Sequence, residues 1–290
     1  MDTICLNGEF IALESARVSA TDAGLLLGEG VFETLRVERG QVLFAEDHFA
    51  RLGRGLRILE IPFVVEPENL LALCQQVVDA NELEDARLRI TVTRGPMRNQ
   101  PIVAREGEPT LVITATALDA RMDEKRYRGW RLVMAPHPRN HRSPLATVKS
   151  TSYLESSLAR RYAVRLGFDD ALLLNTDGLV AETSVANIFL VQSGLVKTPP
   201  IADGPLPGTM RGRIAELCGV AGVGFAEESL TVEDLLAADE VFVTNALIQV
   251  MPVVAIGERE IADGQTGACA ARLQTALRAR IDAELRERWS

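Results

Sequence analysis

Lys149 is one of only three lysines in 290 residues, and it lies in Ala146-Thr147-Val148-Lys149-Ser150-Thr151-Ser152-Tyr153-Leu154, where a strand-like segment gives way to a helical pattern. A lysine amine forms Schiff bases with carbonyl compounds. Thirty-three residues later the chain reads Glu182-Thr183-Ser184-Val185-Ala186-Asn187-Ile188-Phe189. A carboxylate can hold the protonated ring nitrogen of pyridoxal phosphate, which makes that ring an electron sink. Lys149 and Glu182 together therefore read as a pyridoxal-phosphate site. Arg51, in His48-Phe49-Ala50-Arg51-Leu52, offers a guanidinium that could clamp the phosphate bidentately. Leu206-Pro207-Gly208-Thr209-Met210-Arg211 sets a glycine just before a helical pattern, and a helix N-terminus offers unpaired amides to a phosphate. Lys125 and Lys197 lie in polar or proline-bounded segments and read as surface charges.

The elements that must position these residues follow from periodicity and turn chemistry. Ile4 to Leu13 reads as a hairpin around Asn7-Gly8, and Val31 to Phe44 as a second one around Arg39-Gly40. Asp47 to Leu59 is helical, with Phe49, Leu52, Leu56 and Leu59 on one face, and Pro62 ends it. Pro67 opens a helix to about Ala80. Arg87 to Thr93 and Thr110 to Thr116 are rich in β-branched residues and read as strands. The charged stretch Asp119 to Gly129 lacks a core pattern and reads as an interdomain linker.

Beyond it, Trp130 to Ala135 is a strand, and Leu154, Leu158, Tyr162 and Leu166 mark the core face of a helix that Gly167 ends. Strands follow at 171–174, 179–181, 188–191 and 240–244, and helices after Gly208 and at 232–237. The C-terminal helix carries Leu273, Leu277, Ile281 and Leu285 as a stripe. The expected class is α+β with mixed sheets and flanking helices: a small N-terminal domain over 1–118, a linker over 119–129 and a large cofactor-binding domain over 130–290.

A composition of 47% hydrophobic and 24% charged residues fits a soluble globular enzyme. The net charge of -9 argues against a general nucleic-acid surface. Met1-Asp2-Thr3-Ile4-Cys5 lacks the pattern of a signal peptide, and no apolar run approaches the roughly 20 residues that span a bilayer. Cys5, Cys74, Cys218 and Cys269 form no CxxC pair, which suits reduced thiols in a cytoplasmic protein. His137 and His141 are four apart, but Pro136 and Pro138 break a helix there, so a loop is expected and not a metal pair.

The site residues resemble the class IV aminotransferase family, which has pyridoxal-phosphate fold type IV. The matching run is Glu182, Ser184, Asn187, Ile188, Phe189, Thr198, Gly208 and Arg211. Thr209 departs, because an aliphatic residue is usual there, yet that position serves through its backbone amide. Asp22 to Arg36 and Arg89 to Gly95 also match, so the likeness spans about residues 4 to 256. It implies that Lys149 bonds the cofactor and shuttles the proton. It further implies that Glu182 pairs with the ring nitrogen, and that Arg51, the amides of Thr209 and Met210, and Thr244 or Asn245 hold the phosphate. Tyr153 would border the ring. Such proteins resemble homodimers with each active site between two domains and lined by a neighbour's loop, to which Asp22 to Gly30 would contribute.

Within the family, Asn245-Ala246-Leu247 and the spacing after Lys149 resemble 4-amino-4-deoxychorismate lyases, which form 4-aminobenzoate, a folate precursor, and pyruvate. Ser152 and Tyr153 depart from that pattern, where Asn and Arg are common. A transaminase acting on D-amino acids, branched-chain amino acids or amines is the alternative, with Arg98 as a candidate for a substrate carboxylate. An inactive cofactor-binding dimer is the third reading, against which the joint presence of Lys149, Glu182 and Arg51 stands.

Overall fold

The computed structural model describes residues 2–97, 108–118 and 122–287. The chain forms two compact units, one of Met1–Leu118 with Val148–Ser152, the other of Asp119–Thr147 with Tyr153–Ser290. Arg98 and most of the loop from Arg94 to Arg105 lie outside the described residues.

The first unit is built on β1 (Thr3–Leu6), β2 (Glu9–Ala12), α1 (Ala23–Leu27), β3 (Gly30–Glu38), β4 (Gln41–Val42), α2 (Ala45–Ile58), α3 (Pro67–Ala80), β5 (Ala86–Thr93) and β6 (Thr110–Ala117). Its sheet runs β2-β1-β6-β5-β3-β4, and every pairing is antiparallel. The two hairpins turn at Asn7-Gly8 and Arg39-Gly40, where all four residues have positive φ. Helices α2 and α3 lay apolar faces on the sheet: Phe49, Leu52, Leu56, Leu70, Cys74, Val77 and Val78 pack with Leu35, Val37, Leu88, Ile90 and Ile113.

Residues 148–152, counted in sequence with the second domain, group with this first unit. Phe32 N donates to Lys149 O at 2.9 Å and Thr151 N to Gly30 O at 2.8 Å, with Val31 and Ser150 bridged between them. β5 covers one edge of β3 along its length, and β4 covers only Val37 and Glu38 of the other. Residues 149–151 occupy the edge that β4 leaves open. Val148 adds its side chain to the first unit's core.

The second unit comprises α4 (Met122–Arg128), β7 (Trp130–Met134), α5 (Leu154–Arg165), β8 (Asp170–Leu174), β9 (Val180–Thr183), β10 (Asn187–Gln192), β11 (Leu195–Thr198), α6 (Thr209–Val220), β12 (Gly224–Glu227), α7 (Val232–Leu236), β13 (Glu240–Asn245), β14 (Gln249–Ile256), β15 (Arg259–Glu260) and α8 (Ala268–Glu287). Its sheet runs β12-β11-β10-β13-β14-β7-β8-β9, with β15 on β14. The pairs β11–β12, β14–β7 and β7–β8 are parallel and the rest antiparallel, so this sheet is mixed. Leu273, Leu277, Ile281 and Leu285 of α8 are all buried, as their spacing predicts. Among the described residues no helix is long and apolar enough to cross a membrane.

Two expectations change, and one strand was not foreseen. The stretch expected to link the domains contains α4, and Arg126 of that helix donates to the carbonyls of Val250 and Ile248 at 3.2 and 3.1 Å. β14 has no alternation to read, because all eight of its residues are buried and Pro252 sits inside it. The leucine stripe on α5 faces the wrong way: Leu154, Leu158 and Leu166 are 65, 46 and 48% exposed. The buried face is Ser156, Ala159 and Ala163, whose small side chains let the helix approach Ala171 and Leu173 of β8 closely.

That packing sets an expectation for stability. Ala163→Leu should destabilise by about 1–3 kcal/mol through overpacking. Leu158→Ala should cost well under about 1 kcal/mol, since little of it leaves a core. Urea unfolding of the two variants measures both, and equal costs would contradict the packing described.

Candidate active site

Neighbouring residues of a strand point to opposite faces. On β3 this separates Phe32 from Glu33, and each gathers its own cluster. The Phe32 ring, 4% exposed, takes two cations: the Lys149 Nζ lies 4.6 Å and the Arg89 guanidinium 3.8 Å from its centroid. Arg89 was not singled out in the sequence. It opens the run Arg89 to Gly95 that resembles the family, and the fold sets it on β5 directly opposite Thr34, beside Phe32 in the ladder.

Glu33 is fully buried and holds three donors. Arg51 Nε reaches Oε1 at 2.7 Å, Arg51 Nη2 reaches Oε2 at 2.7 Å, and His48 Nδ1 meets Oε2 at 2.7 Å. His48 and Arg51 are three apart on α2 and so share its inner face. Burial alone would raise the Glu33 pKa, but the charge and hydrogen bonds of Arg51, with those of His48, outweigh it and hold the carboxyl well below the usual range. Burial pushes His48 down, Glu33 opposes that, and the Arg51 and Lys149 charges reinforce it. A carboxylate only accepts, so the His48 Nδ1 carries the proton turned to Glu33.

The second unit carries the other site residues. Glu182 of β9, 7% exposed, accepts from Asn187 Nδ2 at 3.1 Å and Leu206 N at 3.0 Å through Oε2. Its Oε1 lies 3.3 Å from Arg139 Nη2. Arg139 also donates to Gly204 O at 2.7 Å and Ala146 O at 3.0 Å, so its direction is fixed. No spacing in the chain points to Arg139; it sits in the Pro136–Asn140 loop, and only the fold brings it to β9.

Asn187 also donates to Leu206 O at 2.8 Å, drawing the 206–208 segment onto the sheet. There Gly208 is obligatory, because a Cβ would sit 1.9 Å from Asn187 Oδ1. Gly208 is the N-cap of α6 and has no side chain to cap the first-turn amides of Thr209 and Met210. Arg211 donates to Pro199 O at 2.9 Å and pins the start of the 199–207 segment.

Thr244 pairs with Asn187 across the β10–β13 ladder. It is fully buried, and its hydroxyl has no hydrogen-bond partner among the described residues. The neighbouring Asn245 spends its side chain on the turn into β14: Oδ1 accepts from Leu247 N and Ile248 N, both at 2.9 Å, and Nδ2 donates to Val185 O at 3.0 Å. The Tyr153 hydroxyl donates to Ser184 O at 2.8 Å. Burial, then the carboxylates of Glu182 and Asp170, push its pKa up to about 12, so it stays protonated.

These features fit a phosphorylated cofactor. A buried hydroxyl lacking a partner, first-turn amides left without a side-chain cap and a glycine that permits close approach make an anion cradle. Beside it stands a buried carboxylate whose direction three donors set.

A family model for class IV aminotransferases matches residues 30–256. The chain belongs to the class IV aminotransferases. It is 33% identical over 286 residues to a Methanocaldococcus jannaschii protein named "Putative branched-chain-amino-acid aminotransferase", covering 99% of this chain and 97% of that one. A T.th. branched-chain amino acid aminotransferase, solved with pyridoxamine 5'-phosphate, superposes with a TM-score of 0.89 at 28% identity, over 97% of this chain and 94% of that one. A Legionella pneumophila protein named "Putative 4-amino-4-deoxychorismate lyase" superposes with a TM-score of 0.85 at 29% identity, over 92% of this chain and 96% of that one. Pyridoxal phosphate is the cofactor of the family, and this chain is one of its enzymes.

The Glu33 cluster predicts an acid response. Glu33 has a folded pKa below its ordinary 4.5, so its stabilisation is present above that value and is lost as pH falls. His48 has a folded pKa below 6.5, so the unfolded chain gains a proton first and stability also falls as pH drops below that value. Thermal midpoints should therefore decline from about pH 6.5 downward. Glu33→Gln should start lower and decline less between about pH 5 and 3. Parallel curves for the two proteins would show that Glu33 is not held as described.

Proposed function

We propose that this enzyme is an amino-acid transaminase. The observation that carries the proposal is the pair of cations on Phe32. Lys149 supplies a base, and Arg89 supplies a fixed cation for a substrate carboxylate, which a transaminase must bind in each half-reaction. The full-length likeness to proteins named as branched-chain aminotransferases supports the same choice.

The bound cofactor supplies an aldehyde that takes up the amine and a ring that accepts electrons. Lys149 Nζ, on a backbone fastened to β3, would be the base that moves the proton of the substrate carbon. Glu182, oriented by Arg139, Asn187 and the Leu206 amide, holds the proton of the ring nitrogen. The Thr244 hydroxyl and the amides of Thr209 and Met210 receive the phosphate, with Arg51 adding charge. Tyr153, locked on Ser184, borders the ring as a neutral phenol.

The lyase reading keeps one specific support, Asn245-Ala246-Leu247, together with the likeness to the Legionella protein. Both reactions use Lys149 as the base, so the two differ in the fate of the cofactor. With an amino acid alone, a transaminase converts its cofactor to the pyridoxamine form once and stops. With aminodeoxychorismate, a lyase releases pyruvate and 4-aminobenzoate over many turnovers. Repeated turnover of that kind, without bleaching by D-alanine or a branched-chain amino acid, would replace the transaminase assignment.

Two further outcomes are expected. Arg89→Gln should raise KM for an amino acid about 10-fold or more while leaving an amine without a carboxylate within about twofold. Borohydride should fix the cofactor to Lys149, and Lys149→Ala should abolish both the fixation and turnover. The same reading includes a second copy of the chain. The three leucines of α1, 69, 53 and 44% exposed, are apolar surface that such a partner would cover. Sedimentation at micromolar concentration should return a dimer, and a monomer would remove that part.

A further inference from the structure

We infer that Glu33 and His48 are positioning residues that aim the Arg51 guanidinium at the cofactor phosphate. The inference rests on the reading that Arg51 holds that phosphate. Neither residue is a phosphate ligand; both act through Arg51.

The geometry is specific. A guanidinium is a planar fork that presents bidentate edges to an oxyanion. The Nε–Nη2 edge of Arg51 is matched atom for atom to the two oxygens of Glu33, at 2.7 Å each. That match fixes both the plane and the rotation of the guanidinium. An arginine in water samples many rotamers and loses that freedom when held. Here the loss is already incurred on folding and does not recur when the phosphate arrives.

Glu33 is itself fixed. It lies on β3, on the face that the helices cover, and is fully buried. The His48 Nδ1 bond at 2.7 Å places a donor on Oε2, the oxygen shared with Arg51 Nη2, and keeps the carboxylate from rotating about its own axis. His48 is 2% exposed and packed on the same helix as Arg51, one turn earlier. The cluster is therefore a chain of fixed groups: strand, carboxylate, guanidinium, with the imidazole as a brace. The charges of Glu33 and Arg51 cancel, so Glu33 also competes for the cation that the phosphate needs. Positioning and competition predict opposite outcomes when Glu33 is neutralised.

The test compares cofactor-free wild type with Arg51→Lys, Glu33→Gln, His48→Phe and His48→Asn, each titrated with pyridoxal phosphate and with unphosphorylated pyridoxal. If Glu33 positions Arg51, Glu33→Gln weakens pyridoxal-phosphate binding about tenfold or more, because the amide nitrogen opposes one N–H of the fork. Pyridoxal binding stays within about twofold, since the defect lies at the phosphate. His48→Phe shifts binding in the same direction, and His48→Asn, whose amide nitrogen falls near the Nδ1 position, restores it. A merely structural role would weaken both ligands alike.

Unchanged or tighter pyridoxal-phosphate binding in Glu33→Gln, with Arg51→Lys clearly weakened, overturns the inference and makes Glu33 a competitor. An unchanged Arg51→Lys overturns the phosphate reading of Arg51 itself, a separate failure. Should Glu33→Gln not fold, the His48→Phe and His48→Asn pair decides: equal pyridoxal-phosphate affinity in the two overturns the inference.

Discussion

The hydrogen bonds that fasten residues 149–151 to the open edge of β3 are the constraint on which the proposed chemistry depends. A lysine side chain has four rotatable carbons, and its amine is placed no better than its backbone. Here the backbone is tied to the sheet edge by a single antiparallel bridge, and its close approach needs Gly30, where a Cβ would stand 2.9 Å from Thr151 Oγ1 and 3.0 Å from Val92 O. Val148 sinks into the first unit's core just before the lysine, and the Thr151 hydroxyl donates to Gly28 O at 2.8 Å just after it. Anchors on both sides leave the side chain as the only freedom. A base held on a sheet edge is more precisely placed than one on a loop.

Each unit also solves the same electrostatic problem. A carboxylate removed from water costs several kcal/mol unless donors and an opposite charge replace its hydration. Glu33 has Arg51 and His48; Glu182 has Arg139, Asn187 and a backbone amide. In both clusters the arginine is held by more than the carboxylate's charge: the bidentate fork fixes Arg51, and the carbonyls of Gly204 and Ala146 fix Arg139. Fixed charges need no rearrangement when the reaction creates or moves charge nearby, which is the source of electrostatic catalysis.

What could be read in the chain follows from which physics is local. Turn residues, helix periodicity and the Pro67 start are local, and the hairpins and α2, α3 and α8 stand where they imply. A scarce lysine and recognisable runs of residues drew attention to Lys149, Glu182, Arg51 and Gly208. The α5 stripe misled because spacing shows that a face is apolar but not that it is buried; Ala159 and Ala163 took the core side by being small. β14 was hidden because a strand covered on both faces has no period. The Lys149 segment could not be assigned to the first unit, since pairing with β3 joins residues more than a hundred positions apart.

The same distinction explains why reaction type is harder to read than cofactor. Cofactor chemistry needs a lysine, a carboxylate and an anion cradle, and each leaves a mark: a scarce residue, a motif, a glycine before a helix. Substrate choice turns on where a second cation stands, and an arginine on a strand carries no such mark. Arg89 is one of four arginines from Arg87 to Arg98, and its neighbours in sequence do not distinguish it. Only antiparallel pairing of β5 with β3 sets it against the ring of Phe32, which the amine of Lys149 also meets. On the proposed reading, specificity is a property of register, and register is decided by the whole sheet.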